Sequence, residues 1–179
     1  MITAIIFSIT LLLLLLFAVF FVIQFYNILF RGFAPFVSTH PSIIGKLAFE
    51  AGQLDNKVVY ELGCGTANFL FSLEKKFPDA KFIGVEYALL PWLIAKIRLL
   101  LSGSKIRIIK KNIFKVNLAD ADLIYCYLNP GMMRDLETKL KKECKLGTQI
   151  ISYCFPMAGL LPAKTDELED KTRIHYYTI

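Results

Sequence analysis

Hydrophobic and polar positions divide the chain into two unlike regions. From Ile5 to Phe30 an apolar run of 26 residues has few polar interruptions, at Ser8, Thr10, Gln24 and Asn27, and no Lys, Arg, Asp or Glu precedes Arg31. As a helix this run would span roughly 39 Å at about 1.5 Å per residue. A hydrocarbon core is about 30 Å thick, so the pattern predicts one transmembrane helix with some tilt. A secretory signal would need a basic start, a shorter apolar stretch and a small-x-small cleavage site, and none is evident. Arg31 and Lys46 follow the run and no basic residue precedes it. The positive-inside bias then places the rest of the chain on the cytoplasmic side. Tyr26, Phe30, Phe33 and Phe36 suit an aromatic belt at the interface.

Beyond the run the period changes. Residues 31–40 form a connector with Gly32 and Pro35. Pro41-Ser42 opens a helical pattern through Ile43, Ile44, Leu47, Ala48 and Ala51, stopped by Gly52. From Lys57 strand and helix signals alternate. Strands are predicted at Val58–Tyr60, Lys81–Val85, Lys105–Ile109, Asp122–Tyr127 and Thr148–Tyr153, with a sixth at Arg173–Thr178. Helices are predicted at Ala67–Phe77, Pro91–Leu101 and Gly131–Cys144. Met157–Lys171, charged and containing Pro162, reads as a loop. Strands separated by helices of this length imply parallel pairing through right-handed crossovers. The expected architecture is α/β: a Rossmann-like, mostly parallel sheet with helices on both faces, preceded by one transmembrane helix. Its expected parts are an anchor at 1–30, a connector and helix at 31–56, and a ligand-binding domain at 57–179.

Composition alters this picture little. Apolar residues make up 55% of the chain, and that excess sits in the N-terminal run. All 21 basic and 15 acidic residues lie after it, for a net charge of +6. Lys139, Lys141, Lys142 and Lys145 cluster, as do Lys110 and Lys111. Such groups serve as solvated faces or lean toward anionic lipid. No aromatic-basic interleaving argues for nucleic acid. Cys64, Cys126, Cys144 and Cys154 form no Cys-x-x-Cys pair, so free thiols in a reduced compartment are expected. His40 and His175 have no second ligand at metal spacing, and no metal is expected.

The chemistry concentrates at Glu61-Leu62-Gly63-Cys64-Gly65-Thr66-Ala67-Asn68, where a strand enters a Gly-x-Gly turn and then a helix. Gly63 and Gly65 permit backbone dihedrals that a side chain forbids, and they let backbone approach a ligand across Cys64. A dinucleotide turn prefers Gly or Ala where Asn68 stands, which counts against a nicotinamide cofactor. Glu61 counts further against it: at the strand end its carboxylate repels a phosphate and attracts an α-amino group, such as that of a methionine moiety. Glu86 ends the second strand, where a carboxylate accepts both hydroxyl protons of a ribose. Together these features point to a nucleoside-type ligand. Asn112, after the third strand, either bonds an adenine edge or caps the following turn.

On the other side of the expected switch point stands Tyr127-Leu128-Asn129-Pro130. The Asn129 side chain and nearby main-chain carbonyls can accept protons from an incoming amine, with Tyr127 as wall or core. Equally, Asn129-Pro130 is a turn that opens the next helix. Tyr127, Asn129 and Pro130 are the candidate reacting-side residues.

With these residues in view, the chain resembles the seven-β-strand, class I methyltransferases, with Glu61-Leu62-Gly63-Cys64-Gly65 as their first motif and Glu86 as the acidic residue after it. More closely it resembles the membrane-anchored lysine methyltransferases that include the mitochondrial ATP synthase c-subunit methyltransferase. The pieces carrying this are the N-terminal run, Pro35-Phe36-Val37, Gly84-Val85-Glu86, and Pro91-Trp92-Leu93 with Arg98. Further along come Met132-Met133, Leu136-Glu137, Lys139-Leu140 and Phe155-Pro156, so the likeness covers roughly residues 1–160. It implies S-adenosyl-L-methionine as cofactor and a protein lysine as acceptor. The loop departs from the usual Gly-Ser-Gly-Asp-Gly-Arg: small residues remain where backbone comes close, while the acidic and basic pair is gone. Methylation of a lipid or small molecule, and a membrane-tethered ligand binder without catalysis, are the alternative readings.

Overall fold

The computed structural model describes residues 2–31, Gly45, Leu47 and 52–179, with backbone alone for 24–31. The chain divides into two compact units, Met1–Pro35 and Phe36–Ile179. The first contains helix α1, Ile2–Arg31. Its segment Ile2–Ile23, 22 residues, is long and apolar enough to cross a membrane. At about 1.5 Å per residue it measures roughly 33 Å. Its side chains from Ile2 to Ile23 are exposed. The expected belt residues lie outside the described side chains. Of the helix expected over 41–51, only Gly45 and Leu47 are described; both are helical, and Leu47 is fully buried.

The second unit is built on seven strands: β1 Val58–Leu62, β2 Lys81–Glu86, β3 Arg107–Lys110, β4 Leu123–Cys126, β5 Gln149–Tyr153, β6 Lys164–Glu167 and β7 Arg173–Thr178. Their order across the sheet is β3-β2-β1-β4-β5-β7-β6. The first five are parallel; β7 runs antiparallel to β5, and β6 antiparallel to β7. Chain order reverses between β1 and β4, which makes their carboxyl ends the switch point.

Alternation of side chains across the pleat produces two cores. Val59, Tyr125, Ile151, Tyr153 and Ile174 face helix α2, Asn68–Glu74, and helix α3, Leu89–Ser102. Tyr60, Leu62, Ile124, Ile150 and Tyr177 face helix α4, Pro130–Glu143, through Met133, Leu136 and Leu140. Full burial of such a side chain is worth about 1.5–3 kcal/mol, so these two faces hold the sheet between its helices. Gly84 sits where α2 and the glycine turn press on β2: a Cβ there would lie 2.7 Å from Cys64 Sγ and 2.7 Å from Ile108 Cδ1.

Two expectations are corrected. The loop expected over 157–171 contains β6. Its sequence, Lys-Thr-Asp-Glu, shows no apolar alternation because it is an edge strand with most side chains exposed, and charge on an edge protects it from pairing with other chains. Helix α2 ends at Glu74, three residues before Phe77, where Lys76 donates to the Leu73 carbonyl three residues back and tightens the last turn.

Candidate functional site

The glycine turn leaves β1 in three left-handed steps: Gly63 at φ +77°, Gly65 at φ +55° and Ala67 at φ +61°. The Gly63 and Cys64 N–H groups both donate to the Val85 carbonyl, at 2.8 and 3.0 Å, so the turn folds back over the end of β2. Ala67 N–H donates to the Cys64 carbonyl at 2.7 Å and closes the loop before α2. A left-handed Ala costs roughly 1–2 kcal/mol, and that cost is met here by a clamp. Arg98, from α3, donates through Nη1 to the Thr66 carbonyl at 2.7 Å and to Asn68 Oδ1 at 2.5 Å. Its guanidinium also lies 4.4 Å from the Phe71 ring centre.

Glu61 is buried beside this turn, between Gly84 on β2 and Tyr125 on β4. Burial holds its carboxyl well above the ordinary carboxylate range, with an N–H from Leu70 pulling the other way and Glu86 adding to the rise. Its Oε2 has no hydrogen-bond partner among the described residues. A buried, unpartnered carboxyl oxygen is costly unless something cationic or protonated meets it. Glu86 behaves differently: Oε2 accepts from Gly65 N–H at 2.8 Å and Oε1 from Ala88 N–H at 2.7 Å. Each oxygen retains a second lone pair. The Glu86 carbonyl accepts from Lys111 N–H at 3.0 Å, which brings Asn112 into line with the same edge.

Asn112 Oδ1 accepts from Phe114 N–H at 2.9 Å and caps the 3₁₀ turn Ile113–Lys115. The capping half of its two readings is therefore seen, and its amide NH₂ remains a donor. Asn129 likewise caps α4: its Oδ1 accepts from Met132 N–H at 2.9 Å and its carbonyl from Met133 N–H at 3.0 Å, with Pro130 at the first helical position. Tyr127 is half-buried, its hydroxyl pushed up by burial, and it meets Tyr153 edge to face at 4.7 Å. A Cβ on Gly63 would lie 3.0 Å from Leu128 Cδ2, so the turn after β1 and the segment after β4 are in contact.

Glu61, Gly63, Cys64, Gly65, Glu86 and Asn112 thus line the carboxyl ends of β1, β2 and β3, with Tyr127, Asn129 and Pro130 on the β4 side. Cys64 is buried, and burial with Glu61 and Glu86 nearby raises its thiol, so it stays protonated. All four cysteines are free. Among the described residues no group of three or more His, Cys, Asp or Glu side chains is placed to hold a metal ion. The residue with a site contact that pattern reading did not assign is Arg98, although it stands as the lone Arg among eight Leu and Ile of α3.

A parallel sheet reversing at β1 and β4, a glycine turn at the switch point, an orphaned carboxyl oxygen beside it and an acid closing β2 define a class I S-adenosylmethionine-dependent methyltransferase. The chain belongs to the family of the ANTKMT methyltransferase domain, whose model matches residues 61–164. A protein from Saccharolobus islandicus (strain REY15A) named Protein-lysine N-methyltransferase is 28% identical over 143 residues, 79% of this chain and 89% of that protein. Two solved structures share the fold. An RNA methyltransferase from Salinibacter ruber in complex with S-adenosyl-L-homocysteine has a TM-score of 0.73 at 21% identity, over 80% of this chain and 94% of the other. A SAM dependent methyltransferase from Aquifex aeolicus has a TM-score of 0.61 at 18% identity, over 79% and 100%.

Proposed function

We propose that this methyltransferase acts on the side-chain amine of a protein lysine and works at a membrane, anchored through residues 1–30, with residues 57–179 as the catalytic domain on the cytoplasmic side. The observation that carries the site is the unpartnered Glu61 Oε2 next to the glycine turn. It fits the α-amino group of S-adenosylmethionine, since an ammonium there satisfies the orphaned oxygen and favours its ionised form. Gly63, Cys64 and Gly65 present backbone to the ligand, Glu86 accepts from ribose hydroxyls with its remaining lone pairs, and Asn112 donates its amide NH₂ to adenine. When bound, the cofactor supplies a sulfonium methyl for in-line displacement.

The chain's own part is orientation and dryness. A lysine amine attacks only when neutral, and low local polarity lowers its pKa. Tyr127 forms the wall. The Asn129 oxygens, fixed in place as caps of α4, are the acceptors for the amine's N–H groups and aim its lone pair, and Pro130 fixes the backbone that holds them. The lysine acceptor is supported by the name of the archaeal relative. Anchoring is supported by the length of Ile2–Ile23, and orientation by Arg31 and Lys46.

The test uses membranes containing the full chain, methyl-labelled S-adenosylmethionine, and Glu86→Ala membranes as control. Label in a protein band that yields methyl-lysine on hydrolysis is the expected result. Label partitioning into organic solvent would replace lysine with a lipid acceptor. Cofactor binding without Glu86-dependent label would leave a binder that does not transfer.

A further inference from the structure

Helix α3 is apolar on the side it buries and on the side it exposes. Ala95, Leu99 and Trp92 pack on the sheet. Leu89, Leu90, Leu93, Ile94, Ile97, Leu100 and Leu101 are all exposed, Leu100 at 85% and Leu101 at 83%. At 3.6 residues per turn these seven fall within one arc of about 140°. A helix hydrophobic all round belongs in an apolar surrounding, and an exposed aliphatic face of this extent marks an interaction surface.

Charge on the same edge says what the surroundings are. From Tyr87 to Ala119 the chain has seven Lys and Arg and no Asp or Glu. Arg98 is taken up by the glycine turn; Lys96, Lys105, Arg107, Lys110, Lys111 and Lys115 are exposed. Lys96 stands at the rim of the aliphatic arc. Lys105 follows α3 toward β3, where its N–H donates to the Glu74 carboxylate at 2.7 Å, and Lys110 points to the same side of the sheet as Ile108, the side α3 covers, while Arg107 turns to the other face, toward Tyr60. The arc itself offers no hydrogen-bonding group, no aromatic ring and no Arg, whereas the anchors of protein interfaces are enriched in Trp, Tyr and Arg. An anionic bilayer asks for this combination: aliphatic side chains to enter the acyl boundary and cations to meet the headgroups.

We propose that α3 and the basic edge beside it form a lipid-contacting surface that lays the catalytic domain on an anionic membrane. The surface adjoins the site, because Leu89 and Leu90 follow Glu86 by three and four residues and Ala88 N–H bonds its carboxylate. Docking therefore holds the ribose side of the cleft at the headgroup level. The inference does not depend on α1 spanning a bilayer; it concerns a separate contact made by the domain.

The full chain carries one Trp, at position 92 on the buried side of α3. A Trp92→Phe, Leu100→Trp chain moves this reporter to the exposed arc. It is reconstituted into vesicles of phosphatidylglycerol and phosphatidylcholine with brominated acyl chains. The expected result is loss of fluorescence to bromine, abolished by about 1 M salt, where the Debye length is near 3 Å, and abolished by Leu93→Glu with Ile97→Glu. Unquenched, solvent-like emission from folded, vesicle-bound protein overturns the proposal. So does a blue shift that follows protein concentration without bromine quenching, since a second copy then covers the face. Flotation after alkaline carbonate separates this outcome from the anchor. Protein that floats but is unquenched loses the docking surface and keeps the anchor. Protein that is quenched but released by carbonate does the reverse.

Discussion

Glu61 carries opposite demands at the residue scale. Without a cation beside it, burial keeps the carboxyl protonated in the folded chain over a pH range where the unfolded chain is ionised. The folded state then binds more protons, so stability falls as pH rises from the ordinary carboxylate range toward the raised folded value. Glu61→Gln is expected to stabilise the ligand-free protein, increasingly so across that window. It should also weaken S-adenosylmethionine binding about tenfold or more, the loss of one charge-assisted hydrogen bond. Denaturation at several pH values and titration calorimetry check both halves. Calorimetry in buffers of unequal ionisation enthalpy should further show a proton released on binding, since an ammonium partner lowers the carboxyl's pKa. Binding without proton release would mean that Glu61 does not meet the amine.

Elements place these residues through a few cross-connections. Arg98 ties α3 to the left-handed turn before α2, and Arg98→Met should reduce cofactor affinity about tenfold, on the scale of a hydrogen bond to a charged group. The fold should be retained, as circular dichroism would show, and Arg98→Lys should restore only part, because an ammonium lacks the planar fork. Gly84→Ala drives a Cβ into Cys64 Sγ and Ile108 Cδ1 at 2.7 Å. A destabilisation of about 1–3 kcal/mol is expected, together with weaker cofactor binding, measured by denaturant titration and calorimetry. On the other face, Glu137 of α4 accepts from Lys141 Nζ at 2.6 Å and from Gly159 N–H at 2.8 Å. These bonds hold its carboxyl below the ordinary carboxylate range. Its contribution is present above the unfolded pKa and is lost as pH falls through the folded one. Glu137→Gln should therefore cost about 1–2 kcal/mol at neutral pH, with the gap to the parent closing in acid.

For the whole molecule, the division at Pro35 and Phe36 makes a further expectation testable. A chain beginning at Phe36 should bind S-adenosylmethionine with the affinity of the full chain, because the described residues of the site all lie in the second unit. It should also resist membrane extraction less well, as carbonate washing would show. Equal extraction of the two chains would place all membrane contact in the second unit.

How much of this was legible beforehand follows from the range of each interaction. Periodicity located the five parallel strands, β7 and three helices to within a few residues, because burial on one or both faces imposes a pattern on neighbouring positions. The glycine turn, Glu61 and Glu86 were legible for a related reason: backbone strain and strand-end position are local properties. Edge strand β6 was hidden because little of it is buried. Asn112 and Asn129 had two readings each, and the contacts of their Oδ1 atoms two and three residues on supply the capping one.

The sequence by itself determined the α/β class, the apolar N-terminal helix, the glycine turn and the two acids beside it, since each rests on near neighbours in the chain. Tertiary structure alone decided that Arg98 braces the turn from 30 residues away. It also decided that Glu61 Oε2 is left unpartnered and that seven aliphatic side chains of α3 face outward. Those outcomes depend on which surfaces meet, and a one-dimensional pattern does not distinguish an apolar residue that finds a partner from one that does not.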